Sequence, residues 1–87
     1  MLSMKDCLDY CDLTEEEIEL IAEHQRIPDI AAAQIACALV QTPEGVLILN
    51  HFMQELIDQA EQCGETERAR RCRTIRERFS LNHPLPH

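Results

Sequence analysis

The sequence predicts an all-α fold, a compact bundle of four to five helices with an Ala-rich helix at its centre. Three observations carry that expectation. Apolar residues recur at helical spacing through most of the 87 residues. Pro and acidic side chains fall where helices begin. Two Gly, few β-branched runs and only Tyr10, Phe52 and Phe79 as aromatic side chains leave little material for strands or tight hairpins. The expected helices cover approximately 4–11, 15–26, 28–41, 43–63 and 65–79. Residues 1–80 then form one helical domain and 81–87 a frayed tail.

The first helix rests on a Ser3/Asp6 capping signal and on Met4, Cys7, Leu8 and Cys11, which fall at i, i+3, i+4 and i+7. The second has the clearest start. Thr14 and Glu17 stand at the two ends of a capping box, Leu13 and Ile18 at the two ends of a hydrophobic staple. Glu15, Glu16 and Glu17 meet the positive end of the helix dipole, and His24 and Arg26 suit its negative end. Ile27-Pro28 ends that helix, because proline disfavours helical geometry in the residue before it. Pro28 is expected at the first position of the next helix, with Asp29 in its first turn.

From Ile30 to Val40 only Gln34 is strongly polar. A helix apolar nearly all round is expected to be surrounded by others, and the alanines at 31, 32, 33, 36 and 38 would admit close neighbours. Thr42-Pro43-Glu44 then supplies an N-cap, a first-position proline and a first-turn acid. The long helix that follows turns Val46, Leu49, Phe52, Met53, Leu56, Ile57 and Ala60 toward the core. Gly64 is placed to end it in the left-handed conformation. The last helix offers the core only Ala69, Cys72, Ile75 and Phe79, with Glu67 and Arg71 as an i, i+4 pair.

Charge narrows the function. The net charge of −8 argues against unspecific adhesion to nucleic acid or to an anionic membrane. Its distribution is uneven: residues 1–63 carry thirteen acids against Lys5 and Arg26, while residues 64–87 hold six Arg against three Glu. No basic-then-apolar leader is read at the N-terminus, and the stretch from Ile30 to Val40 is far short of the roughly 20 residues a membrane-spanning helix needs. Five cysteines without framework spacing are expected to be reduced thiols in a cytoplasmic chain.

Candidate chemistry is sparse. Cys7 and Cys11, one turn apart, are the weak candidates for a metal or redox site completed by Cys37, Cys63 or a histidine. The second matching pair typical of a zinc site is missing, and a cysteine on an apolar face packs as a small hydrophobe. His51 lies one turn before Glu55, outside any metal-binding motif. Phosphate loops and nucleophile elbows are absent, so no catalytic residue and no cofactor are assigned.

Arg68, Arg70, Arg71, Arg73, Arg76 and Arg78 form the candidate interaction surface. They would contact phosphates in a nucleic-acid reader, or pair with the acids of residues 6–23 within the chain or across an interface. The second reading is favoured, because nothing here supplies a recognition helix or an aromatic platform. Leu47 and Ile48 exceed what one small core can cover. The expectation is therefore a non-enzymatic interaction or regulatory module, pairing with itself as a homodimer or with an acidic protein partner. Metal or redox work and nucleic-acid binding stand as alternatives, and a small-molecule ligand is left open.

Overall fold

The computed structural model describes residues 8, 9 and 11–84. Four helices are joined in order: α1 (Glu15–Gln25), α2 (Asp29–Leu39), α3 (Pro43–Gln62) and α4 (Thr66–Asn82), with no strand among the described residues. Leu8, Asp9 and Cys11 are helical ahead of them; the remainder of the expected 4–11 helix, Met4 and Cys7 included, lies outside the described residues.

The helix starts follow local chemistry. The Thr14 backbone N–H donates to Glu17 Oε1 at 2.8 Å, and the Glu17 N–H donates to Thr14 Oγ1 at 3.2 Å, completing the capping box. Leu13 and Ile18 on either side of it are both buried. At α3 the Gly45 N–H donates to Thr42 Oγ1 at 3.0 Å, with Pro43 in the first turn. Pro28 is the cap of α2 and Asp29 its first residue, a shift of one position from the sequence expectation.

Three of the turns that end helices share one geometry. Leu13, Ile27 and Glu65 each donate a backbone N–H to the carbonyl five residues back, Leu8, Ala22 and Ala60 respectively. In each case the preceding residue is left-handed: Asp12 at φ 59°, Arg26 at φ 56° and Gly64 at φ 74°. This is the Schellman arrangement, which satisfies carbonyls that a helix end would otherwise leave open.

The core is built around α3, which packs on each of the other three helices. Val46, Leu49, Met53, Leu56 and Ile57 of α3 meet Ile18 and Ile21 of α1, Ala32, Ala33 and Ala36 of α2, and Cys72, Ile75 and Phe79 of α4. The Ala-rich helix is therefore not the centre. It buries only the stripe of Ala32, Ala33 and Ala36, while Ile30 is 59% exposed and Ile35 42%. The physical reason is supply. Four helices in a body only 17 Å through its thinnest axis form about two layers, too few to surround any one of them.

The end of the chain also departs from expectation. α4 continues through Leu81 to Asn82, where a frayed tail is expected from residue 81. His83 then stacks at a tilt on Phe79, with ring centroids 4.8 Å apart. Its Nε2 lies 3.2 Å from the Asp12 carbonyl, tying the helix end to the turn before α1.

Candidate interaction surface

α4 places its six arginines around the three sides that Ala69, Cys72, Ile75 and Phe79 leave free. Three of them reach α1: Arg68 pairs with Glu23, Arg71 with Glu19 at 3.4 Å, and Arg78 with Glu16 at 3.9 Å. These acids recur at intervals of three and four, so they present one edge of α1 to α4. Arg73 pairs with Glu61 at the far end of α3, and Arg70 with Glu67 on its own helix. The expected Glu67–Arg71 pair gives way to these contacts, because α1 brings Glu19 within reach of Arg71.

Arg76 differs from the other five. Its Nη1 donates to Gln54 Oε1 at 2.5 Å, its Nε is buried without a partner, and no carboxylate pairs with it among the described residues. It is half-buried at the seam between α3 and α4, where two shallow depressions meet on its side chain. One, of about 480 Å³, is lined by Leu47, Ile48, Asn50, His51, Gln54 and Arg76. The other, of similar volume, is lined by Arg76, Glu77, Ser80 and Leu81. The seam is held by Ser80 donating to Asn50 Oδ1 at 3.1 Å.

Large apolar side chains stand exposed along this seam: Leu47 at 57%, Ile48 at 42% and Leu81 at 80%. The sequence singled out Leu47 and Ile48 as surplus to one core. It does not mark Leu81, which falls in the expected tail, and nothing local marks Arg76 as different from its neighbours.

The other candidates are dispersed. Cys11 and Cys72 are buried, Cys37 is half-buried and Cys63 is exposed beyond the end of α3. Burial pushes the Cys72 thiol up from its ordinary pKa, against the pull of Arg68 and Arg71, so it is a poor nucleophile where it stands. Among the described residues, no three His, Cys, Asp or Glu side chains are grouped to hold a metal. Cys7 lies outside them.

His24 does more than sit at a helix end. It stacks on Phe52 with centroids 4.4 Å apart and turns Nε2 toward Glu55 Oε1 at 3.3 Å. His51 reaches the same oxygen at 3.0 Å, so two imidazoles converge on one carboxylate across α1 and α3. Gln25 donates its amide to His24 Nδ1 at 2.7 Å. This cluster locks α1 to α3.

Glu17 is the one acid enclosed by the fold among the described residues, at 1% exposure. Desolvation raises its pKa above the ordinary carboxylate value, with Asp12 adding to the rise; the two Thr14 hydrogen bonds and His83 oppose it. Its Oε2 has no hydrogen-bond partner.

These features define a four-helix, all-α chain whose cations are largely satisfied internally and whose exposed seam is apolar. No helix among the described residues is long and apolar enough to cross a membrane. Comparison with protein-family models, with curated proteins and with solved structures found no match for this chain.

Proposed function

We propose that this chain is a small, non-enzymatic interaction module that acts through self-association as a homodimer. One observation carries the reading. Five large hydrophobic side chains, Ile30, Ile35, Leu47, Ile48 and Leu81, stand in solvent although the chain has a closed core of its own. Isolated exposed apolar residues are ordinary on any surface. Three of these five flank one seam, and an apolar seam on a small domain is the feature that marks protein association. Pairing would also supply the burial that a chain of this size otherwise lacks.

The arginine helix supports this reading over nucleic-acid binding. Five of its six guanidinium groups already have a carboxylate, and contact with phosphates would require releasing them. The thiols of Cys11, Cys63 and Cys72 suit a reducing, cytoplasmic setting.

Sedimentation velocity of the full chain, from low to high micromolar concentration, tests the proposal. A reversible monomer–dimer equilibrium is expected. A chain that stays monomeric across the whole range overturns it.

A further inference from the structure

We infer that the α3–α4 seam pairs with the same seam of a second copy about a two-fold axis, Arg76 of each copy meeting Glu77 of the other. The inference rests on the self-association just proposed and adds the surface and its specificity.

Arg76 is the one arginine of α4 without a carboxylate among the described residues. Glu77, its neighbour in sequence and in the lining of the same depression, has no ion pair or hydrogen bond to its side chain among them either. The two cannot neutralise each other, because adjacent residues on a helix project about 100° apart. A cation without a carboxylate and an anion without a cation thus stand side by side among the described residues, flanked by the exposed Leu47, Ile48 and Leu81.

Such a patch is complementary to itself. In an interface with two-fold symmetry, if residue i contacts j then j contacts i, so one pairing is made twice. Arg76 against the partner's Glu77 satisfies all four charges, and the leucines and Ile48 close around them. An acidic protein partner fits less well: it answers Arg76 but sets like charge against Glu77. Two chains of net charge −8 repel each other overall, so the surface that pairs must add no like-charge contact of its own. Glu16, Glu19, Glu23 and Glu61 are held by arginines of their own chain, and the seam itself carries one charge of each sign.

A stable pair needs about 800 Å² from each partner. That is roughly a seventh of the 5826 Å² this chain exposes, so the contact must run along both α3 and α4.

Charge reversal on the full chain tests the geometry, with dimer dissociation constants read by sedimentation equilibrium. Arg76→Glu and Glu77→Arg are each expected to weaken the dimer about tenfold or more, by placing like charges opposite each other. The double variant restores the pairing with its polarity exchanged and is expected to return close to the parent value. Leu81→Glu guards against misfolding as the cause, since a side chain 80% exposed adds nothing to the core; it too is expected to weaken the dimer while circular dichroism stays unchanged. A parent dimer indifferent to both reversals and to Leu81→Glu overturns this surface and leaves self-association standing. Failure of the double variant to recover overturns the Arg76–Glu77 pairing. A parent that is monomeric throughout removes both.

Discussion

The carbonyl oxygen of Leu39, at the end of α2, occupies the space where a side chain on Gly45 would begin. Gly45 is three residues inside α3, in ordinary helical conformation, so the glycine serves a close approach and not a turn. Without it the α2–α3 corner could not fold back tightly enough to bring Ala36 and Leu49 into one core. Gly45→Ala is expected to cost about 3 kcal/mol, because the obstruction is backbone and cannot rotate away. Urea denaturation measures it; a loss below about 1 kcal/mol would mean that the corner yields.

Arg26 presents the opposite case. It holds the left-handed conformation at φ 56° and ψ 49°, which costs an L-residue about 1 kcal/mol, and its side chain is exposed. Arg26→Gly is expected to stabilise the chain by up to about 1 kcal/mol, or roughly 4–8 °C in melting temperature for a domain of this size. Gly64→Ala should move the other way by a similar amount. The site at Gly64 is open, so only the backbone conformation resists a side chain there.

Glu17 makes stability depend on pH in an unusual direction for a carboxylate. Its pKa is raised in the folded chain, chiefly by desolvation, so the folded state holds this proton more tightly than the unfolded state does. The stability it contributes is complete below the ordinary carboxylate pKa and is lost as pH rises through the raised one. Glu17→Gln keeps an acceptor for the Thr14 N–H, since glutamine also closes a capping box, and removes the charge. The variant is expected to gain on the parent as pH goes from acidic to neutral. A difference that stays flat, or that shifts toward the parent as pH rises, contradicts the assignment. Thermal melts of both chains across that range decide it.

What the sequence made legible, and what it hid, follows from the range of the forces involved. Thr14 with Glu17, Thr42 with Gly45 and the turn at Gly64 act within five residues, and each is where local pattern puts it. The left-handed turns at Asp12 and Arg26 have the same hydrogen bonding but no glycine to announce them. Hydropathy placed α2 in the middle because it registers how apolar a helix is, and not how many neighbours a small chain can provide. The extension of α4 to Asn82 is accompanied by His83 reaching the Asp12 carbonyl, a contact 71 residues apart in sequence that no local pattern announces. At the seam, Leu47 and Ile48 stood out as excess apolar residues. The singular position of Arg76 emerged only once the other five arginines had found their acids.

Those acids carry the last prediction. Glu16, Glu19 and Glu23 hold Arg78, Arg71 and Arg68 across the α1–α4 edge, with both partners partly in solvent. Exposed pairs of this kind contribute little, so replacing all three glutamates by glutamine is expected to cost about 1–2 kcal/mol in total. The larger effect should be on binding. The substitution strips Arg71 and Arg78 of their carboxylates and leaves Arg68 only Glu65 on its own helix. It frees guanidinium groups on α4 for phosphates and sulfates, which they bind best in bidentate fashion. On a heparin column at low salt the parent is expected to flow through and the triple variant to be retained, eluting as salt rises. If the variant also flows through, the glutamates are not what keeps this helix from polyanions. If the parent is itself retained, the arginines are available despite their pairs, and nucleic-acid binding returns as the stronger reading of α4.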